Sequence, residues 1–367
     1  MITSNPIVIV GAGLSGLRAA SLLTAQGIPC CVLEAQERIG GRVLSQNLSD
    51  HLELGKFDLG PTWFWPQYEP IITKLANELG LETFTQYNMG SMISERTQEQ
   101  SPQQHMLPYG AIETSMRFIG GAQTLIEALA ATLPDGVLKL NQRVTLIHQQ
   151  KDGSLGIEVE GNGTITARAV LIAIPPRVAV KTIKFIPELP VELINSLMDK
   201  PTWMASQAKI VAIYERPFWR EQGLSGFATS WVGPLQEIHD ASPASGCGAL
   251  FGFFRVPAHN RADLGEEAIT ELVVAQLVRL FGPQANDTMG ILYKDWAIEP
   301  EVAVTEDLIP FSEYPNYGVP VGEKNAAIPV VFTSTETANI QGGHLEGALW
   351  AAERAVSQLI ERIKMDS

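Results

Sequence analysis

The chain has 367 residues, 45% of them apolar and 18% charged, a balance that is typical of globular proteins and sufficient for two domains with a large core. Its formal net charge is −14, with scattered acidic residues and no basic run, which disfavours nucleic acids and anionic membrane surfaces as partners. No apolar stretch reaches the length of a membrane span and no signal peptide precedes the first predicted strand, so we expect a cytoplasmic protein.

Cysteine and histidine usage agrees with that expectation. The three cysteines, Cys30, Cys31 and Cys247, are expected to be reduced thiols in the core rather than disulfides. The six histidines show no spacing typical of metal ligands, so we expect no metal site.

A glycine-rich turn between a predicted strand and a predicted helix opens the chain. Residues 7–10 are β-branched and apolar, as in a strand that is buried on both faces. Gly11 then permits a tight turn, Gly13 lets the backbone approach a pyrophosphate, and Gly16 lets the helix lie against the strand. The phosphates would be held at the N-terminus of that helix.

The next strand ends at an acidic residue. Residues 28–33 predict a second buried strand, and Glu34 follows it near the spacing at which a carboxylate receives a ribose hydroxyl. A carboxylate at this position repels a 2′-phosphate, which disfavours NADP. The N-terminal segment therefore predicts an adenine-dinucleotide site.

The segment after Glu34 narrows the choice of dinucleotide. Between Ala35 and Arg42, two adjacent glycines stand beside an arginine, which suits a backbone close to a phosphate and a guanidinium that pairs with it. Taken alone, an ordinary glycine turn with a surface arginine explains the run equally well. Together with the glycine fingerprint, the run resembles the GG-motif flavoproteins, which include amine oxidases, carotenoid desaturases and protoporphyrinogen oxidases. That resemblance implies FAD rather than NAD.

An aromatic-rich stretch follows at residues 57–66. Gly60 would allow a flat ligand to approach the backbone, and the aromatic rings could either fill the core or line a pocket. The stretch is similar to the Asp-Leu-Gly segment that runs along the isoalloxazine in monoamine oxidases, which implies flavin contacts for Gly60, Pro61, Thr62 and Trp63. Trp63 stands where L-amino-acid oxidases carry an arginine for the substrate carboxylate, so the resemblance argues against an α-amino-acid substrate.

Short elements follow up to the middle of the chain. Residues 70–80 predict an amphipathic helix, whereas residues 85–108 are irregular and rich in Gln and Ser, which predicts a short excursion over the active site or a mobile flap. A helix ends near Ala131, and residues 137–173 predict short strands joined by hairpin turns. The two prolines after Ile174 end a buried strand that resembles the step out of the FAD domain in this family.

A second unit is predicted over residues 197–298. Its predicted elements are strands at 207–214, 226–231 and 248–254 and a helix at 268–280. The resulting fold class is α/β, with a Rossmann-like (GR2-type) FAD-binding domain and a mixed α+β substrate domain that contains an antiparallel sheet. We assign residues 1–70, 117–196 and 299–367 to the first domain, and residues 71–116 and 197–298 to the second.

Lys209 lies on the first strand of the second unit. A surface lysine on a half-exposed strand is the ordinary explanation. The run from Lys209 to Trp219, however, closely resembles the amine-oxidase strand whose lysine reaches flavin N5 through water, which implies that Lys209 helps oxygen react. By the same resemblance Trp296 flanks the flavin. Covalent monoamine oxidases carry a cysteine shortly after this tryptophan, and since residues 301–307 contain none, noncovalent FAD is implied.

The last segment contains a predicted strand at 328–332, a pair of glycines and a long helix. A helix N-terminus behind glycines suits the negative N1–C2=O end of a reduced flavin. The resemblance implies that Glu336 meets ribityl or phosphate-side hydroxyls and that Gly343 and Leu345 lie at the ring. His344 stands where monoamine oxidases place one tyrosine of their aromatic cage. It could supply a titrating group beside the substrate or be a satisfied structural histidine.

These features predict an FAD-dependent enzyme that oxidises the C–N bond of a small-molecule amine to an imine, with hydride passing to flavin N5 and O2 giving H2O2. Because the uncharged amine reacts, activity should rise with pH. The catalytic residues would be Lys209, His344 and Trp296, and the cofactor contacts would come from Gly11, Gly13, Leu14, Ser15, Gly16, Glu34, Ala35, Arg42, Gly60, Pro61, Thr62, Trp63, Val144, Glu336, Gly343 and Leu345. A dehydrogenase or desaturase of a non-amine substrate and a non-catalytic flavin-binding protein are the alternatives. A monomer or homodimer is expected.

Overall fold

The computed structural model describes residues 5–108, 110, 112–309 and 313–365. Its strands are β1 (Ile7–Val10), β2 (Cys30–Leu33), β3 (Ser45–Leu48), β4 (His51–Asp58), β5 (Thr83–Thr85), β6 (Ser91–Glu95), β7 (Gln103–Met106), β8 (Met116–Phe118), β9 (Leu138–Lys139), β10 (Val144–Gln149), β11 (Leu155–Val159), β12 (Gly163–Ala167), β13 (Ala169–Ile172), β14 (Lys184–Ile186), β15 (Ala208–Tyr214), β16 (Leu224–Ser230), β17 (Leu235–Asp240), β18 (Gly248–Phe254), β19 (Gly290–Asp295) and β20 (Val330–Phe332). Its helices are α1 (Leu14–Ala25), α2 (Pro70–Glu78), α3 (Gln123–Ala131), α4 (Pro176–Thr182), α5 (Val191–Met198), α6 (Phe218–Glu221), α7 (Ala258–Phe281) and α8 (Leu345–Met365).

A parallel sheet of five strands lies at the centre of the first unit, in the order β20-β13-β1-β2-β9. In its register, Ile7 lies between Cys30 of β2 and Ala169 of β13, and all of β1 is buried. Strands β1 and β2, β13, and β20 come from the beginning, the middle and the end of the chain. The sheet therefore brings three distant segments to one edge, because the carboxyl ends of parallel strands meet there.

Both faces of the parallel sheet are covered. On one face, helices α1, α3 and α8 pack through side chains such as Leu17, Leu125 and Leu349. The opposite face packs against the sheet β12-β11-β10-β14 through Val8 and Ile147. Helix α2, which lies in the sequence range that we assign to the second domain, packs on the first face and contacts α8.

The second unit is built on a sheet of seven strands in the order β19-β15-β18-β17-β16-β6-β7. All its neighbouring strands are antiparallel except β16 and β6. Alternate residues of β15 face opposite sides: Ile210 packs with α7, whereas Val211 packs with Phe57 and Leu59 of the first unit. Since side chains alternate, Lys209 shares the face of Val211. The predicted combination of parallel and antiparallel sheets is confirmed.

The segment at 85–108 is not an irregular excursion, and that prediction is wrong. Strands β6 and β7 form a hairpin that extends the edge of the seven-stranded sheet. The sequence lacks a clear alternation because one buried residue is charged: Glu95 accepts hydrogen bonds from Ser230 and Arg279, which lie far away in the chain. Burial of a carboxylate with such partners cannot be read from local hydropathy.

Two further elements differ from prediction. Helix α7 begins at Ala258 instead of near residue 268, and Gly265, at φ 77°, interrupts its helical backbone. Strand β17 was not predicted. Leu235 and Ile238 are buried but lie three residues apart, because the register shifts between Leu235 and Glu237, so the sequence shows no alternating pattern. Among the described residues, the structure contains no helix that combines the length and the apolar character needed to cross a membrane.

Candidate functional site

A cavity begins at the carboxyl ends of β1, β2 and β13 and continues to β15 of the antiparallel sheet. This is the edge at which ligands bind in open α/β sheets. The predicted site residues that line it are Gly11, Gly13, Leu14, Ser15, Glu34, Ala35, Arg42, Gly60, Pro61, Thr62, Trp63, Val144, Lys209, Trp296, Gly343, His344 and Leu345. Of the predicted residues, Gly16 and Glu336 are not part of the lining.

The glycine turn after β1 has two kinds of glycine. A Cβ at Gly16 would lie 2.0 Å from the Gly11 carbonyl oxygen, so this glycine permits the contact between α1 and the turn. A Cβ at Gly13 would meet only the Gly40 carbonyl oxygen, at 3.9 Å, and Gly13 has an ordinary φ of −72°. Gly13 therefore keeps the cavity open rather than allowing the chain to turn. Helix α1 has no side-chain cap, so its first N–H groups are available to an anion.

Glu34 is held at the end of β2 by two backbone donors. Its Oε2 accepts from the Ala12 N–H at 2.7 Å, and its Oε1 accepts from the Gln36 N–H at 2.9 Å. Burial raises the pKa of Glu34, and these hydrogen bonds oppose that shift. Glu301 also lines this end of the cavity, where Arg143 forms an ion pair with it. Two carboxylates at one end disfavour a phosphate there.

Arg42 and Glu336 form a bidentate ion pair. The Arg42 Nη1 lies 2.7 Å from Glu336 Oε1, its Nη2 lies 3.2 Å from Oε2, and Nη1 also donates to the Trp203 carbonyl. Glu336 is fully buried and accepts the Trp203 N–H as well. Glu336 thus faces Arg42 instead of the cavity, which differs from the role predicted for it. The carboxylate orients the arginine, which does line the cavity.

Lys209 is buried beside the segment that follows β4. Its ammonium donates to the Gly60 carbonyl at 2.9 Å and to Thr62 Oγ1 at 2.5 Å, and it lies 4.0 Å from the centre of the Phe251 ring. Burial lowers the pKa of Lys209 to about 7; Asp58 opposes this shift and Arg117 adds to it. Such a lysine can hold or release a proton near neutral pH.

Two tryptophans are fixed through their indole nitrogens. Trp296 donates to the Leu59 carbonyl at 3.0 Å, and Trp63 donates to Gln86 Oε1 at 2.9 Å. The amide nitrogen of Gln86 donates in turn to the Asp240 carbonyl at 2.8 Å. Each tryptophan is therefore oriented by a hydrogen bond besides its packing, which suits rings that form a rigid wall.

His344 lies directly before α8, between two other rings. The centroids of Trp65 and Trp203 are each 6.3 Å from the His344 ring, and Glu69 Oε1 lies 3.4 Å from its Nδ1. A Cβ at Gly343 would lie 2.7 Å from Trp203 Cγ, so this glycine makes room for the indole.

Sequence reasoning missed Trp65, Trp203 and Glu69 as parts of the site. Trp65 was noted only as one ring of an aromatic stretch. Trp203 precedes β15 in a segment without periodicity, and no local pattern marks it. Glu69 directly precedes α2, a position where an acidic residue is common for capping reasons alone. All three contact the turn directly before α8, near the opposite end of the chain, and only these contacts give them a role in the site.

Comparisons with known proteins agree with this arrangement. A family model for flavin-containing amine oxidoreductases matches residues 14–107 and 89–360. A probable flavin-containing monoamine oxidase A of Dictyostelium discoideum is 24% identical, with 99% of each chain covered. Putrescine oxidase of Kocuria rosea is also 24% identical, with 96% of this chain and 95% of the relative covered.

Solved structures share the fold. A putrescine oxidase variant with redesigned cofactor binding superposes with a TM-score of 0.82 at 21% identity, covering 98% of this chain and 99% of its own. Cyclohexylamine oxidase from Brevibacterium oxydans superposes with a TM-score of 0.80 at 19% identity, covering 98% of this chain and 100% of its own. Fold and site together define a flavin-dependent oxidoreductase. The chain belongs to the flavin-containing amine oxidoreductases, and it is an enzyme of the flavin-dependent amine oxidase class.

Proposed function

We propose that the protein binds FAD noncovalently and oxidises the C–N bond of a small-molecule amine to an imine, with O2 as the electron acceptor and H2O2 as the second product. The observation that carries the proposal is one continuous cavity. It joins the Gly11–Gly13 turn and Glu34 at one end to Lys209, Trp63 and His344 at the other. The names of the relatives, which include putrescine and cyclohexylamine oxidases, support an amine as the substrate.

The residues at the first end fit an adenine dinucleotide. The uncapped N-terminus of α1 and the open space at Gly13 suit a pyrophosphate. The Glu34 carboxylate, held by backbone donors, suits ribose hydroxyls, and the backbone at Val144 suits the adenine. None of the three cysteines lines the cavity, which supports noncovalent binding.

The residues at the other end fit a flat ring and an amine. Gly60, Thr62, Trp296 and Gly343 would surround the ring system of the flavin, which when bound supplies the site that accepts a hydride from the carbon next to nitrogen. Lys209 holds a proton within the cavity wall, and its buried positive charge would favour negative charge that develops on oxygen. Trp63 and Trp65, whose rings meet edge to face, would form an apolar wall at the substrate end.

The domain division belongs to the same proposal. A discontinuous Rossmann-like domain of residues 1–70, 117–196 and 299–367 would hold the dinucleotide, and residues 71–116 and 197–298 would hold the substrate. Helix α2 packs against α8, so the boundary at residue 70 separates two elements that contact each other. A monomer or homodimer and a cytoplasmic location stay predictions from sequence.

An anaerobic amine screen on the FAD-loaded protein tests the proposal. Bleaching of the flavin absorbance by a specific amine, followed by peroxide when air is admitted, is the expected result. A yellow protein that no amine bleaches would favour a non-amine dehydrogenase or a non-catalytic flavoprotein. A protein that takes up no FAD would contradict the proposal as a whole.

A further inference from the structure

A buried carboxylate connects two walls of the substrate end. Glu69 is 2% exposed, and its Oε2 accepts from the Trp65 N–H at 2.7 Å. Its Oε1 lies 3.4 Å from His344 Nδ1. Trp65 and His344 both line the cavity, one from the segment before α2 and the other from the turn before α8. Glu69 therefore links the backbone of Trp65 to the ring of His344, two cavity-lining residues that the sequence separates widely.

The same contact decides which nitrogen of His344 is available. With Nδ1 directed at a carboxylate, the neutral imidazole carries its proton on Nδ1 and presents Nε2 as an acceptor. In the described part of the chain, no residue hydrogen-bonds Nε2. The His344 side chain is 32% exposed, so a proton taken up at Nε2 can pass to solvent.

An amine substrate needs such an acceptor. Alkylamines are protonated at neutral pH, and an ammonium nitrogen has no lone pair to support loss of hydride from the neighbouring carbon. A base in the cavity would let the enzyme use the abundant ammonium form. At the substrate end, the acidic group that contacts a cavity-lining ring is Glu69, whose two oxygens are already engaged.

We propose that Glu69 and His344 act as a dyad in which His344 Nε2 removes a proton from the bound ammonium and Glu69 is the positioning residue. The proposal rests on the proposed amine oxidation. The substrate N–H bond breaks, its electron pair stays on nitrogen, and the proton forms a bond with Nε2. Glu69 balances the charge of the resulting imidazolium, which then loses its proton to water, so the step needs no oxidant or further reactant.

Other charged groups surround the dyad without replacing it. Glu346, in the first turn of α8, accepts the Ile71 and Ile72 N–H groups at 2.9 Å and 2.8 Å. Arg42 forms an ion pair with Glu336.

The neighbouring lysine and tyrosine act as donors. Lys209 donates to Gly60 and Thr62, so in this arrangement it is a donor rather than a base. Tyr314 donates to the Gly342 carbonyl, and burial raises its pKa.

Stopped-flow measurement of flavin reduction by the amine that bleaches the flavin fastest tests the dyad. In His344→Asn we expect the rate at pH 7 to fall about 100-fold, the lower range of general-base effects. At pH 10, close to the pKa of an alkylamine, about a quarter of the substrate arrives uncharged, so the deficit should shrink to about fourfold or less. Glu69→Gln keeps an acceptor for the Trp65 N–H but loses the charge, and it should show a smaller deficit at pH 7 with the same recovery at high pH.

Glu346→Gln is the matched control, because it neutralises a neighbouring buried carboxylate that does not contact His344. It should reduce the flavin at the wild-type rate at both pH values. An equal loss in His344→Asn at pH 7 and pH 10 would overturn the dyad while leaving amine oxidation intact. Absence of flavin reduction by any amine in the wild type would instead contradict the proposed function.

Discussion

The ammonium of Lys209 is buried, and burial raises the free energy of a charged group. Burial lowers its pKa from 10.5 to about 7, so between these values the unfolded chain binds a proton that the folded chain does not. The free energy of unfolding must then increase with pH across this window, by up to about 1.4 kcal/mol per pH unit from this group. Below pH 7 the contribution is constant, because both states are protonated.

Comparison with Lys209→Met isolates that contribution. In urea unfolding of the apoprotein, the stability of the wild type relative to the variant should increase between pH 7 and pH 9. Lys74→Met serves as the control, since the Lys74 side chain is 76% exposed and its removal should give no such slope. If the difference in the free energy of unfolding between the wild type and Lys209→Met stays constant from pH 7 to pH 9, then Lys209 stays charged in the folded protein.

At the residue scale, sequence predicted those site residues that follow from strand ends and motifs. Glu34 and Lys209 belong to this group, because a strand fixes the edge or the face on which each lies. Glu69 and Trp203 were missed for a physical reason. Their partners His344 and Glu336 lie far away in the chain, and only the folded arrangement supplies the contacts.

At the scale of elements, the turn before α1 allows folding and cofactor binding to be separated. Gly16→Ala would drive a Cβ against the Gly11 carbonyl and push α1 from its place, so the apoprotein should lose stability and FAD affinity together. Gly13→Ala meets no close atom and needs no unusual φ, so the apoprotein should unfold at nearly the wild-type temperature. Its FAD affinity should nevertheless fall at least about tenfold, because the methyl group occupies the space open to the pyrophosphate.

Calorimetry of the apoproteins and FAD titration by fluorescence give the two readouts separately. Gly27→Ala is a useful third variant. Its φ of 67° predicts a stability loss of about 1 kcal/mol from strain alone, with no effect on FAD, since nothing lies within 4 Å of its Cβ. Unchanged FAD affinity in Gly13→Ala would contradict the assignment of this turn to the pyrophosphate.

Elements with strong periodicity were predictable, and those completed by distant partners were not. Strands β1 and β13 are continuous apolar runs that follow from burial on both faces. The β6–β7 hairpin reads as an irregular loop because it pairs with β16, more than a hundred residues later in the chain. Strand β6 thus obtains its register from the neighbouring strand of the sheet rather than from its own pattern.

At the scale of the whole molecule, three parts of the fold meet at the Glu34 end of the cavity. Gln36 follows β2, Arg143 precedes β10, and Glu301 follows the last strand of the seven-stranded sheet. Gln36 donates to Glu299 at 3.1 Å and to Glu301 at 3.4 Å, and Arg143 pairs with Glu301. Lys294 Nζ forms an ion pair with Glu299 Oε2 at 2.5 Å. Gln36, Arg143, Glu299 and Glu301 all lie in the first domain, and the Lys294–Glu299 pair links β19 of the second domain to them where the adenine would lie.

Because Arg143 and Glu301 both line the cavity, the pair should slow the escape of the dinucleotide. Glu301→Gln should accelerate FAD dissociation several-fold, measured as recovery of free-flavin fluorescence after dilution. The free energy of unfolding of the apoprotein should fall by no more than about 1 kcal/mol, since Arg143 is 41% exposed and such pairs contribute little.

Salt concentration and a control variant test the same ion pair. Raising the salt concentration from about 0.05 M to 0.5 M should bring the FAD dissociation rate of the wild type towards that of the variant, because screening weakens the pair. Glu306→Gln removes an exposed pair with Lys181 outside the cavity, and it should leave FAD dissociation unchanged. Equal dissociation rates in the wild type and Glu301→Gln would contradict a role of this ion pair in retaining the dinucleotide.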